Sequence, residues 1–311
     1  MSLRSLVTGA TLLAVAAALA ACAGGTGGAG GGASGGGSGA ASGIAIVAST
    51  NVYGDVAQAV AGDLASVTSL ITSAAQDPHE YEASAQDRLA LDQADLVIKN
   101  GGGYDPFIDA LLAAGNDAVM VDAVAICALE QGEDLNEHIW YDFGSVEKVA
   151  AALSEQLGQL DPTNAAAYQA NYEAFAQQIA GLEASVAELR LSAAGRGVAI
   201  TEPVPVYLLD AIGLVNQTPA EFSEAVEEGG DVPPRVLLAT LELFEAEDLA
   251  LLAYNAQTAN ATTEQVRAAA AAAGVPVVDF AETLPEGLTY IAWQQANLDH
   301  LAAALGQAGG D

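Results

Sequence analysis

Only three histidines occur in the 311 residues, so each marks a place where metal or proton chemistry is available. The first stands in Asp77-Pro78-His79-Glu80-Tyr81-Glu82, a segment dense with carboxylates. Pro78 fixes its own φ and pushes Asp77 toward extended geometry, which presents His79 on a defined backbone. A neutral imidazole beside carboxylates is a natural first ligand for a divalent metal. Taken alone, a solvated surface histidine carries the same signature. The second, His138, lies in Asn136-Glu137-His138-Ile139-Trp140 after an acidic loop, where a surface residue opening a helix is the plain alternative. His300 sits among Leu298, Leu301 and Leu305 and reads as a packing or surface residue.

Three carboxylates join these imidazoles as candidates. Glu202 ends a short apolar run just before Pro203, where it could instead cap the next helix. Asp279 and Glu282 close the last apolar run. In open parallel sheets, ligands bind outside the carboxyl ends of the strands, and His79, Glu202 and the Asp279/Glu282 pair all fall at such ends.

The elements that must position them follow from the alternation of apolar runs and helical patterns. Strands are expected at 43–49, 66–72, 95–100 and 118–124, with helices at 52–61, 85–94, 106–114 and 145–160 between and after them. Asp161-Pro162 suits the cap and first position of a new helix. That helix runs toward residue 191, roughly 45 Å, too long for a crossover inside one lobe and suited to a strut between two. Beyond it the pattern repeats: strands at 197–201, 249–255 and 275–279, and helices at 206–212, 219–227, 234–245, 263–273 and 290–305. Strands alternating with helices at this spacing imply βαβ units. The expected fold class is α/β: two lobes with mainly parallel sheets joined by one long rigid helix, with the metal site in the interlobe cleft. The corresponding domains are 43–160 for the N-terminal lobe, 161–194 for the helix and 195–311 for the C-terminal lobe. Gly101-Gly102-Gly103 has no Lys-Ser/Thr after it and no glycine fingerprint around it, so it reads as a turn rather than a phosphate cradle.

Charge narrows the partners. Forty acidic residues against eight basic ones leave a formal charge of −32, which argues against nucleic acid, whose binding needs clustered Lys and Arg. An acidic surface raises the local concentration of cations. The N-terminus is a targeting segment: Arg4, an apolar stretch from Leu12 to Leu19, then Leu19-Ala20-Ala21-Cys22. That tetrapeptide resembles the bacterial lipobox, which implies a signal peptide over 1–21, lipidation of Cys22 and membrane anchoring through the lipid. Residues 23–42 contain 11 glycines and otherwise only Ala, Ser and Thr, a flexible tether with a reach of roughly 25 Å. With Cys22 lipidated, Cys127 has no partner in the chain and reads as a small buried hydrophobe.

These segments together carry a resemblance. From about Gly43 to its end the chain is similar to the solute-binding lipoproteins of ABC transporters that capture zinc or manganese, the adhesin-associated metal-binding proteins. Asp77–Glu82 resembles their Pro-His-x-Tyr-Glu signature and Asn136–Trp140 their Asn-Pro-His-x-Trp signature. Asp161-Pro162-Thr163-Asn164 with Tyr168 and Asn171 resembles the start of their interlobe helix. The resemblance implies one metal per molecule, held by His79, His138, Glu202 and a fourth ligand, and delivered to a permease and its ATPase by a protein expected to be a monomer outside the cytoplasm. The family's last ligand is an Asp followed by a small and then an apolar residue. Glu282-Thr283-Leu284 reproduces that order with Glu for Asp, which places the fourth ligand on Glu282 and leaves Asp279 as the alternative. Glu137 replaces the family's proline, and the third ligand, often His in zinc members, is Glu202. Two carboxylates suit Mn²⁺, whereas Zn²⁺ wins at most mixed sites by intrinsic affinity; the balance leans to zinc with manganese open.

Two other classes compete. A metal-dependent hydrolase needs an open metal position and a base, and no phosphate-binding or nucleophile-elbow motif accompanies the ligands. A surface adhesin would be expected to show repeats or aromatic-rich segments. The expectation is a binding protein, with no enzymatic activity and no catalytic cofactor.

Overall fold

In a computed structural model of the chain, the residues described are 43–307, apart from 75, 77, 80, 113–114, 130–134 and 247. The expected signal peptide, Cys22 and the glycine-rich tether lie outside them, as do Asp77 and Glu80 of the first histidine motif and most of the acidic loop before His138.

The first lobe begins with β1 (Ile44–Thr50), a run of β-branched and small residues that passes through the sheet interior. It continues through α1 (Asn51–Ala61), β2 (Ala65–Ile71), α2 (Ala85–Asp92), β3 (Leu96–Lys99), α3 (Pro106–Leu112), β4 (Val119–Asp122), the single turn α4 (Ala123–Ile126) and α5 (Phe143–Leu160). The strands are ordered β2-β1-β3-β4, every pair parallel. Strands covered by helices on both faces should be apolar throughout rather than alternating, and all four residues of β3 are buried. Ser84 starts α2 with a reciprocal cap: its hydroxyl accepts from the Asp87 amide at 3.2 Å and the Asp87 carboxylate accepts from the Ser84 amide at 2.6 Å.

A 29-residue helix, α6 (Ala165–Ala193), leads into the second lobe; at 1.5 Å per residue it is about 44 Å long. It begins later than expected. Residues 162–164 form turns, and the Asp161 carboxylate binds Asn164 Nδ2 at 2.6 Å and the Tyr168 hydroxyl at 3.3 Å. Asp161 therefore ties the connection to the helix from outside it instead of capping its first turn.

The second lobe contains β5 (Gly197–Ile200), α7 (Val206–Ala211), β6 (Val215–Asn216), α8 (Ala220–Glu227), α9 (Pro234–Ala246), β7 (Leu249–Asn255), α10 (Ala261–Ala272), β8 (Val277–Phe280) and α11 (Tyr290–Gln307). Its order is β6-β5-β7-β8, again all parallel. The two lobes thus share one topology, and in each the order reverses beside the first strand, β1 or β5, where parallel sheets open their crevice.

One apolar core runs through both lobes. It holds Ile46 and Ile98 of the first sheet, Leu153 of α5, Phe175 and Ile179 of α6, Ile200 and Leu251 of the second sheet, and Leu301 of α11. Two smaller clusters cover the outer faces: Val47, Val97 and Ile108 under α2 and α3, and Phe222, Leu252 and Val266 under α8, α9 and α10. At about 1.5–3 kcal/mol per fully buried large apolar side chain, this shared middle layer is what holds the lobes in register. Among the described residues no helix is long and apolar enough to cross a membrane.

Candidate metal centre

The strand ends of the two lobes face one another, and polar side chains from both bridge the gap. Asn51, at the start of α1, donates to Leu284 O at 2.8 Å and accepts from Leu284 N at 2.9 Å. Tyr141 OH donates to Ala281 O at 2.8 Å, Tyr207 OH to Asn136 O at 2.7 Å, and Gln257 Nε2 to Ala74 O at 3.2 Å.

His79 follows β2 in the loop behind the buried Pro78. Its ring stands edge-on to Tyr104, 5.0 Å between centroids. Tyr104 is held there by the turn that the glycines permit: Gly101, Gly102 and Gly103 have φ of 78°, 68° and 107°, a region that glycine enters without strain. A Cβ on Gly101 would meet Asp122 Oδ1 at 2.3 Å. Asp105 closes the turn by accepting from the amides of Asn100 at 2.7 Å and Gly101 at 2.9 Å.

His138 is 1% exposed, beside Trp140 at 5.1 Å and Tyr104 at 6.0 Å. Asn136 fixes its proton. The Asn136 amide nitrogen donates to Pro203 O at 3.0 Å, so its oxygen is the atom facing His138 Nδ1 at 2.7 Å. An amide oxygen only accepts, hence Nδ1 carries the hydrogen and Nε2 offers a lone pair to the cleft. Burial, and then the proximity of His79, hold the His138 imidazole down to about 3, so it stays neutral and competent as a ligand. Its Nε2 is buried without a hydrogen-bond partner among the described residues.

From the second lobe, Glu202 lies two residues beyond β5 and Glu282 two residues beyond β8, both buried. Asn255 at the end of β7 sets them side by side: its Nδ2 donates to Glu202 Oε2 at 2.6 Å and to Glu282 Oε1 at 2.9 Å. Thr258 Oγ1 also donates to Glu202, and Tyr104 OH reaches Glu282 Oε2 at 3.4 Å. The loop that carries Glu282 is held by Gln257 Oε1, which accepts from the Glu282 amide at 2.6 Å and the Thr283 amide at 3.0 Å.

Donor atoms of His79, His138 and Glu282 lie within 4.8 Å of one another, with Glu202 joined to Glu282 through the shared Asn255 amide. Asp279 stands apart. It is inside β8 rather than beyond it, its side chain 55% exposed and 3.6 Å from Arg267. His300 is exposed on α11, and Cys127 is half-buried rather than buried, its thiol donating to Ser145 O at 3.7 Å.

Two further carboxylates belong to the cluster and were not among the sequence candidates. Glu137 Oε1 lies 4.0 Å from His79 Nδ1, and Glu227, the last residue of α8, places Oε1 3.6 Å from His138 Nε2. Burial raises both carboxyls. Glu227 is pushed up to about 9, with Glu137, Glu202, Glu282 and Glu228 adding repulsion. Two imidazoles and four carboxyl groups converging on one cleft form a donor set for a divalent cation, with nitrogen from one lobe and most of the oxygen from the other.

Known proteins share this architecture. Residues 46–304 match the family described as ZnuA, the periplasmic component A of a zinc-uptake complex. The chain is 33% identical over 143 residues to the manganese-binding lipoprotein MntA of Halalkalibacterium halodurans, a match covering 45% of this chain and 47% of that one. It is 25% identical over 277 residues to the manganese ABC transporter substrate-binding lipoprotein PsaA of Streptococcus anginosus, covering 84% of this chain and 89% of the relative. The chain spans about half the length of the first of these relatives. Among solved structures, FpvC of Pseudomonas aeruginosa, determined with Ni²⁺ and with Mn²⁺, aligns over 86% of this chain and 99–100% of its own, with a TM-score of 0.72 and 24% identity.

Proposed function

This chain belongs to the family of periplasmic zinc-uptake components, and from that premise we propose that it captures one divalent transition metal outside the cytoplasm and delivers it to an ABC importer. The observation that carries the proposal is the convergence of His79, His138 and Glu282 to within 4.8 Å across the cleft, with His138 pre-set in the tautomer a metal requires. His79, His138, Glu202 and Glu282 are the four ligands, and Asp279, turned toward Arg267, is not one. Protein donors from both lobes fill the positions that a catalytic metal would leave to a hydrolytic water, so the protein acts as a binder and not as an enzyme. Its partners are the permease and ATPase of the importer. The signal peptide over 1–21 directs export and is removed, and the lipid on Cys22 and the tether over 22–42 keep the lobes (43–160 and 195–311) and the helix between them at the membrane surface as a monomer.

Zinc binds more tightly by the general affinity order of divalent metals, and the carboxylate-rich set favours manganese more than an all-imidazole set would. Purified protein dialysed against either metal and assayed by elemental analysis should hold one ion per chain. Finding neither metal retained would overturn the capture reading. In cell fractions, Cys22→Ala should move the protein out of the membrane pellet, and its retention there would remove the lipid-anchor reading.

A further inference from the structure

Glu227 lies outside the four-ligand set, yet its carboxylate enters the same space from the end of α8. Its Oε1 and His138 Nε2 stand 3.6 Å apart, both buried and both without hydrogen-bond partners among the described residues. A hydrogen bond does not explain the approach: at 3.6 Å the distance exceeds the range of one. Two ligands at about 2.1 Å from one ion and at the tetrahedral angle are about 3.4 Å apart. The observed 3.6 Å is close to that spacing, so one cation could take both atoms as donors. Glu227 also offers an oxygen within 4.8 Å of donor atoms of His79 and Glu137.

The position is an expensive one for a negative charge. Glu227 ends α8 and is followed by Glu228, where the helix dipole disfavours anions. Four cations among the described residues are paired elsewhere: Arg88 with Asp92, Lys99 with Asp109 and Asp122, Arg235 with Glu221, Arg267 with Asp279.

We infer that Glu227 is a specificity-determining residue of the centre, a fifth donor that adds oxygen and coordination number and so narrows the preference for zinc over manganese. The inference rests on the capture reading above. Zinc in closed protein sites is satisfied by four tetrahedral donors, whereas carboxylate oxygen suits manganese, so the loss of this carboxylate weakens manganese binding more than zinc binding.

The test uses the full chain and its Glu227→Gln and Glu227→Ala variants, titrated with Mn²⁺ alone and Zn²⁺ alone in competition with a chromophoric chelator. Metal-free thermal unfolding establishes that each variant is folded. Both variants should raise the manganese Kd at least tenfold while changing the zinc Kd less than threefold, and X-ray absorption of the manganese form should show one oxygen neighbour fewer. Equal changes for the two metals, or none for either, would overturn the role of Glu227 while leaving capture intact. A wild-type chain that binds neither metal would overturn both.

Discussion

Replacing His138 by Phe separates its packing from its ligation. The ring is 1% exposed between Trp140 and Tyr104, so a phenyl ring fills nearly the same space. The variant loses the 2.7 Å bond from Nδ1 to Asn136, about 1 kcal/mol. It also loses a buried Nε2 that has no hydrogen-bond partner among the described residues, which offsets part of that cost. The metal-free Tm should therefore move by only a few degrees. Metal dependence is another matter. At a hundredfold excess over Kd, metal stabilises the wild type by about 2.7 kcal/mol, or roughly 5–11 °C for a chain of this size. A hundredfold weaker Kd at the same concentration leaves RT ln 2, about 0.4 kcal/mol, or roughly 1–2 °C. Thermal unfolding with and without Zn²⁺ reads both numbers. A variant that keeps the full metal increment would refute the ligand role of His138 and the tautomer argument with it.

Three further outcomes follow from the same geometry. Glu282→Ala should raise the zinc Kd by more than a hundredfold, while Asp279→Ala, on the exposed face of β8, should leave it within threefold in the same chelator competition. Asn136→Ala should cost about 10–100-fold in affinity, the usual effect of removing the group that orients a ligand histidine, with no change in metal stoichiometry by elemental analysis. For metal-free protein, the unfolded chain protonates His138 near 6.5 whereas the folded chain keeps it neutral to about 3. Between those values the unfolded state binds the extra proton, so stability is present above pH 6.5 and lost as pH falls toward 3; denaturant unfolding should show a shallower acid loss for His138→Phe than for wild type.

Most of the fold was readable because each lobe buries its strands on both faces. Runs such as Leu249–Asn255 are buried throughout and apolar up to Tyr254, and helix caps such as Ser84 and Asn260 lie in the local sequence. What escaped was either very short or decided at long range. The edge strand β6 has two residues and both are exposed, so no periodicity reveals it. Asp161-Pro162 carried a convincing start signal, but the bonds from Asn164 and Tyr168 to Asp161 favour a turn before the helix. In the centre, the histidines were legible as rare residues in characteristic settings, and Glu282 from the order of types around it. Glu227 was not, because its place in the cluster depends on how α8 packs, which nothing local encodes. The one available hint was an acidic pair at a helix C-terminus, where the dipole disfavours it. Glu137 was noticed only as a departure from proline, and its nearness to His79 is a matter of how two loops meet.

The single covalent crossing between the lobes has a mechanical consequence. A hinge needs a few residues that absorb large changes in φ and ψ. Here the connection is an unbroken helix of 29 residues, and the apolar core runs past it from β1 to α11. Swinging the lobes apart would mean breaking that helix or prising open the core. The weak elements are instead the polar straps at the rim, such as Asn51 with Leu284, Gln257 with Ala74 and Tyr207 with Asn136, each worth about 1 kcal/mol. On the capture reading, the dwell time of a bound ion would then be set by loop fluctuations at the rim rather than by tilting of rigid bodies. An acceptor that loosens three or four such bonds, about 3–4 kcal/mol in all, would shorten that dwell time by roughly two to three orders of magnitude without moving either sheet.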